Sequence, residues 1–268
     1  MRVTFLGTGT SQGVPMIACD CAVCASPDPR NKRQRPSIYV ETGDGTCFVV
    51  DTTPDFRTQC LANNIKRLDA VVITHTHADH IFGLDDLRRF NQLKRGVIPL
   101  YASADSMEVL RRIFGYTFSM SESLKQGWAA VEPHVVEGKP FAIGSAMLQP
   151  LPVPHGKTTT LGFLVSDKDG GKFAYITDVK EVPPQIEALV SGVPLLILGA
   201  LRHTPHPAHM TVAESVETVK RVGAMCAYFV HTTHELEYTE TNKRLPMNTR
   251  LAHDGLRVEL DAGGMREF

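Results

Sequence analysis

His75-Thr76-His77-Ala78-Asp79-His80 constrains this chain more tightly than any other six residues in it. Three imidazoles and a carboxylate follow directly on the apolar run Leu68-Asp69-Ala70-Val71-Val72-Ile73-Thr74. A buried strand that ends in four such groups is hard to explain by packing, because polar side chains without partners are costly to bury. Neutral imidazole with carboxylate is a ligand set for zinc, manganese or iron. His75 and His77 lie two apart in extended chain, so they point to one side and can grip one ion. Asp79 and His80 follow at a chain reversal and can grip a second. The alternative, a polar loop whose histidines are coincidental, is excluded only by structural context.

The rest of the composition narrows the setting. With 268 residues the chain could be one large domain or two ordinary ones, and it can bury a substantial core. Lys and Arg number 28 against 29 for Asp and Glu, a balance that argues against a dedicated polyanion-binding surface. Nucleic acid is therefore a poor partner on this reading, whereas a small phosphorylated substrate stays open. No apolar stretch approaches the roughly 18 residues of a membrane span. Met1-Arg2-Val3-Thr4-Phe5-Leu6-Gly7 runs straight into a strand pattern without the form of a signal peptide. A reduced, cytoplasmic setting is expected, and three of the six cysteines cluster as a metal motif instead of spreading as a disulfide framework.

Strand patterns cover 2–6, 37–41, 47–51 and 70–74, then 97–101, and a second series begins near Phe141 with 147–153, 160–166, 172–177 and 193–198. Residues 227–230 and 256–260 complete the set. Leu84, Leu87 and Phe90 predict a helix after the histidine motif, and Met107, Leu110 and Ile113 predict another over 105–114. Residues 211–222 predict a third, with Thr211 as N-cap and Glu214 three residues on, a capping-box pattern. Two groups of strands with interspersed helices, no repeat and no linker suggest two sheets in one body with helices outside.

The remaining ligand candidates stand at strand ends. His155 follows 147–153, Asp178 follows 172–177, and His231 follows 227–230. A single histidine in such a place is more commonly structural; several strand ends of the same character are not readily coincidental.

On these residues the chain resembles the metallo-β-lactamase superfamily, whose members share an α/β fold, an αββα sandwich of two mixed sheets flanked by helices. The resemblance implies a single domain over 1–268 and a dinuclear site between the sheets. His75, His77 and His155 would hold one divalent ion (zinc or manganese), Asp79, His80 and His231 the other, with Asp178 bridging. Asp51 would orient the histidine loop. Two ions about 3.5–4 Å apart would share a water and bring its pKa towards ~7. His77 stands where the superfamily's diiron redox members resemble His-x-Glu-x-Asp, so hydrolysis is expected.

Cys19-Asp20-Cys21-Ala22-Val23-Cys24 offers three corners of a tetrahedral zinc, and His234 is the natural fourth. Three reduced thiols without metal are the competing reading. This triplet, Gly7-Thr8-Gly9-Thr10-Ser11-Gln12-Gly13-Val14-Pro15 and His231-Thr232-Thr233-His234 together resemble the phosphoribosyl cyclic phosphodiesterase family of the carbon–phosphorus lyase pathway. That resemblance implies one structural zinc at Cys19, Cys21, Cys24 and His234, and a homodimer. Residues 102–146 depart from it, which leaves the substrate open. His209-Met210-Thr211 matches the position of the family's catalytic histidine, which would protonate the leaving oxygen. His209 and Asp79 are the expected catalytic residues, His203 and His206 are expected to be loop residues, and Asn31-Lys32-Arg33-Gln34-Arg35 is either a phosphate contact or a solvated charge run.

The reading that follows is a dinuclear metal-dependent phosphodiesterase acting on a small cyclic phosphate of the phosphoribosyl 1,2-cyclic type. One alternative is an endonuclease similar to those that process tRNA 3′ ends, though the chain lacks a basic Gly/Pro-rich arm. The other is a non-catalytic small-molecule carrier resembling the pyrroloquinoline quinone biosynthesis protein B, which Asp51-Thr52-Thr53-Pro54-Asp55-Phe56-Arg57 also suggests.

Overall fold

A computed structural model describes residues 1–268 and contains two mixed sheets. The first runs, in spatial order, Gly264–Glu267, Arg257–Asp261, Arg2–Gly7, Ser37–Glu41, Cys47–Val50, Ala70–Val72, Ile98–Ala102 and Val131–Val135. The second runs Thr249–Leu251, Cys226–Val230, Leu195–Gly199, Lys172–Ile176, Thr158–Asp167, Ala146–His155 and Phe141–Ile143. The αββα sandwich expected of the superfamily is therefore what the chain forms.

Alternation along the strands explains the layering. Phe48 and Val50 face the other sheet, where they meet side chains such as Phe163, Phe173, Tyr175 and Ile197 in a fully buried central layer. Cys47 and Val49, one residue out of phase, face outward instead. There Phe56, Phe90, Met107 and Leu110 from helices cover them. On the far side Val212, Val219 and Val222 cover Leu196, Leu198 and Phe229 in the same manner. Strands buried on both faces read as continuous apolar runs, which is why 193–198 shows no alternation in the sequence.

Strand direction assembles the site. Cys47–Val50, Ala70–Val72 and Ile98–Ala102 are parallel, as are Lys172–Ile176, Leu195–Gly199 and Cys226–Val230 in the other sheet. Their carboxyl ends consequently share one rim, the usual place for ligands in sheets of this kind.

Local differences from expectation have identifiable causes. The helix predicted after the histidine motif is broken into Ala78–Ile81, a 3-10 turn at Leu84–Asp86, and Leu87–Lys94. Gly83 stands at the break, where the chain passes so close to Thr53 that a Cβ would lie 2.0 Å from its carbonyl oxygen. Val131–Val135 carries Pro133, which disguised it, and it occupies the sheet edge where proline is tolerated. Helices Phe56–Ala62, Pro184–Leu189 and Tyr238–Arg244 were not anticipated; none exceeds 7 residues, too short for a helical period to show. No helix is long and apolar enough to cross a membrane.

Candidate metal centre

The rim gathers every ligand candidate of the first set. Asp51, Asp178 and His231 lie just beyond strands ending at Val50, Ile176 and Val230, and His155 closes its own strand. Donor atoms of His75, His77 and His155 fall within 4.8 Å of one another, and so do those of Asp79, His80 and His231. Asp178 stands between the two groups. Its Oδ2 is 3.2 Å from His80 Nε2, while Oδ1 is 3.2 Å from His231 Nε2 and 3.9 Å from His155 Nε2. Burial opposes ionisation of this carboxyl, yet the surrounding His231 and His80 hold it well below the usual carboxylate range.

Hydrogen bonds behind the rim decide which ring nitrogen His75, His80 and His155 present. Asp51 is fully buried and accepts from the Thr74 backbone N–H and hydroxyl, both at 2.8 Å. Its Oδ2 also accepts the His80 Nδ1–H at 2.6 Å, which leaves His80 Nε2 bare, buried and without a partner. The Thr74 hydroxyl, having donated to Asp51, can accept from His75 Nδ1 at 3.0 Å. His155 Nδ1 donates to the Ala208 carbonyl at 2.9 Å. This is the arrangement by which outer hydrogen bonds fix the tautomer of a metal-ligating histidine. Asp51 and His231 both adopt positive φ, 66° and 57°, uncommon for non-glycine residues but more accessible to Asp and His than to most.

These residues fit divalent cations. An unpartnered buried nitrogen costs about 1–3 kcal/mol, and both nitrogens of His231 are in that position as well as His80 Nε2. Ligand atoms about 2.1 Å from a tetrahedral ion lie about 3.4 Å apart. The separations of 3.2 to 3.7 Å from His80 and His231 to the Asp79 and Asp178 oxygens bracket that spacing.

His209 joins this cluster. Its Nδ1 is 3.9 Å from Asp178 Oδ1, and its ring stacks on His231 with centroids 4.6 Å apart and meets His155 edge-on at 4.5 Å. Burial first, then the neighbouring His231, pushes its pKa down to about 3. The segment carrying it is pinned at both ends, Leu201 N–H to Met210 O and Val212 N–H to Arg202 O, each at 2.9 Å. Thr211 caps the following helix in the capping box that the sequence predicts. His203 is an exposed loop residue as expected. His206 is also a loop residue, half-buried, and its ring lies 5.0 Å from that of His209.

The second expected site also assembles. His234 Nδ1 is 3.3 Å from Cys19 Sγ, 3.3 Å from Cys21 Sγ and 3.6 Å from Cys24 Sγ. Zinc–sulfur and zinc–nitrogen bonds at a tetrahedral angle put N and S about 3.6 Å apart, so this donor set fits such an ion. A backbone N–H from Cys24 helps bring the Cys21 thiol down to about 6. Burial pushes Cys24 up to about 11.

The charged side chains of the run at 31–35 are engaged within the protein, which fits neither reading of it, phosphate contact or solvated charge, for Arg33. Arg33 is buried, and its guanidinium donates to Thr232 Oγ1 (3.1 Å), Thr233 O (2.8 Å), Asn31 Oδ1 (3.0 Å) and Leu236 O. Arg35 pairs with Asp55 at 3.0 Å, and Lys32 donates to Cys24 O. The run therefore clamps the turn that bears both His231 and His234. The glycines of Gly7-Thr8-Gly9 serve the same junction, because a Cβ on either would meet the backbone of 33–35 at 2.0 to 2.7 Å. Sequence reading missed Thr74 and gave Arg33 and His206 other roles; Thr74 and Arg33 act through contacts to residues far away in sequence, which leave no spacing signal, and His206 lacks a motif of its own.

Comparison with known proteins agrees with this geometry. Residues 46–232 match the β-lactamase superfamily domain. An octanoyltransferase of Porphyromonas gingivalis is 33% identical over 99% of this chain. The match takes in 53% of that protein, so the chain spans about half its length. A crystallised diphosphatase from the PhnP family is 42% identical, with a TM-score of 0.87 over 100% of this chain and 98% of that one. Zn²⁺-bound PqqB from Methylobacterium extorquens shares the fold at 20% identity, with a TM-score of 0.80 over 97% of this chain and 100% of its own. With most of its length matched and the sandwich and histidine motif in place, this chain belongs to the β-lactamase superfamily.

Proposed function

We propose that the protein is a divalent-metal-dependent hydrolase of small phosphodiesters, with a cyclic phosphate of the phosphoribosyl 1,2-cyclic type as the substrate class. The observation that carries this reading is Asp178 facing both histidine sets while His209 stacks on His231 beside them. His75, His77 and His155 would hold one ion, Asp79, His80 and His231 the other, and Asp178 both. Bound there, such ions supply Lewis acidity and a water acidified towards neutrality.

The chain's own residues do the rest. Asp51 and Thr74 keep the ligand lone pairs of His80 and His75 aimed inward. Burial and His231 lower the His209 pKa; an anionic phosphoryl group beside it would raise it again, so that the ring takes a proton from solvent water and passes it to the departing oxygen. Cys19, Cys21, Cys24 and His234 would hold a structural zinc that braces the turn supplying His231.

A second reading has its own support. The 42% identical neighbour is a diphosphatase, so a P–O–P linkage is an alternative target for the same apparatus. Purified protein loaded with Mn²⁺ or Zn²⁺ and assayed on ribosyl cyclic phosphates, a chromogenic phosphodiester and organic diphosphates tests both. Metal-dependent turnover that falls roughly 10²–10⁴-fold in His209→Ala, with active-site metals retained, supports the mechanism. Absence of turnover on every substrate refutes hydrolysis; unchanged turnover in the variant removes His209 from it.

A further inference from the structure

We propose that His206 is a specificity-determining residue that reads a second phosphoryl group, directing the site towards organic diphosphates. This rests on the hydrolase reading above and deepens its second form.

The argument starts from a tautomer. His206 Nδ1 accepts the Ala208 backbone N–H at 3.2 Å. A nitrogen that accepts carries no proton, so the ring is neutral and its hydrogen is on Nε2. The same residue, Ala208, receives the His155 Nδ1–H on its carbonyl at 2.9 Å. One peptide segment thus orients a candidate metal ligand through its oxygen and His206 through its nitrogen.

The loop around His206 is built and not loose. Arg202 holds it internally by donating to Thr204 O at 3.3 Å and Pro205 O at 3.2 Å. The His206 ring is half-buried and 5.0 Å from that of His209, one step further from the metal cluster. Lys180 approaches the same loop, with Nζ 3.5 Å from the His209 carbonyl oxygen and 3.1 Å from Glu214. A phosphoryl group reacting beside His209 would therefore have its directly linked neighbour beside His206. There an N–H donor meets an anionic oxygen near Arg202 and Lys180, each of which also pairs with a carboxylate, Glu235 at 3.8 Å and Glu214 at 3.1 Å. A phosphodiester with one phosphorus has no group to place there.

In the reaction, a water oxygen bonds to the inner phosphorus and the bridging P–O bond breaks, its electron pair passing to the departing phosphoryl oxygen. The two protons of water end on product oxygens or in solvent, and two phosphate monoesters result. His206 holds the departing phosphoryl group through Nε2–H and takes no part in the bond changes.

The test compares ADP-ribose with the p-nitrophenyl ester of thymidine 5′-phosphate, on wild-type enzyme, His206→Ala and His206→Gln. His206→Ala should raise KM for ADP-ribose by roughly 10- to 100-fold more than for the ester, the range for a hydrogen bond to a charged group, with kcat changing less than KM. His206→Gln restores a donor near the Nε2 position and should recover much of the difference. Equal losses on both substrates, or losses confined to kcat, would overturn the proposal. The hydrolase reading is judged on the wider substrate panel above; if the wild type hydrolyses neither of these two compounds, calorimetric binding of ADP-ribose and AMP to the metal-loaded protein decides the role of His206. The preference for ADP-ribose over AMP must shrink about tenfold in His206→Ala, and an unchanged preference rejects it.

Discussion

Replacing Asp51 with asparagine changes one atom and should disable a metal ligand that it does not touch from the front. Asp51 Oδ1 accepts the Thr74 N–H, and Oδ2 accepts both the Thr74 hydroxyl and the His80 Nδ1–H. In the variant the amide oxygen must stay on the Thr74 N–H, because an NH₂ group cannot face another donor. The NH₂ then faces His80 Nδ1, which can accept only by moving its proton to Nε2. That proton points at the Asp79 and Asp178 oxygens, 3.4 and 3.2 Å away, and occupies the lone pair an ion requires. Asparagine tolerates the left-handed backbone at this position, so the fold is retained. Losing such an orienting partner typically weakens metal binding 10- to 100-fold, or about 1.4–2.8 kcal/mol. Competition with a chromogenic chelator measures it site by site, with near-ultraviolet circular dichroism confirming native packing. Affinities within twofold of wild type at every site would refute the tautomer argument.

Other expectations test the surrounding structure. Cys21→Ser should lower zinc content by one equivalent per chain in elemental analysis and lower Tm, while the histidine-rich site keeps its metals; unchanged zinc content would show the thiol set is misread. Arg33→Met leaves the carbonyls of Thr233 and Leu236 without their buried donor and should cost about 3–5 kcal/mol in urea unfolding; a loss below about 1 kcal/mol would mean the clamp is dispensable. Asp254 is half-buried, and despite donors from Thr8 and Gln34 its removal from water pushes it up to about 7. The folded state therefore binds a proton more tightly than the unfolded state, so this group's contribution is retained at low pH and lost as pH rises towards 7, at up to about 1.4 kcal/mol per pH unit. Asp254→Asn should flatten that slope relative to wild type between about pH 4 and 7, and parallel curves would contradict it.

The candidate site was legible in the sequence because its groups stand at strand ends, and strand ends are marked by an abrupt change from apolar to polar. His75 to His80 and Asp178 announce themselves in that way. The supporting layer was hidden for the opposite reason. Thr74 looks like any β-branched strand residue, and Arg33 sits in a run that reads as solvated charge, yet its guanidinium is spent on carbonyls 200 residues away in sequence. The capping box at Thr211 was readable since both partners are local. The break at Gly83 was not, because what excludes a side chain there is the backbone of Thr53, brought in by the fold.

The cysteine loop joined to His234 also has a topological meaning. Cys24 and His234 are 210 positions apart. An ion linking them ties the two ends of the chain into a ring that encloses both sheets' central strands. By the loop-entropy rule for a covalent cross-link, a closure of that size restricts the denatured ensemble by up to about 5 kcal/mol. A single atom of zinc would then serve as a removable staple, making resistance to unfolding a function of metal supply.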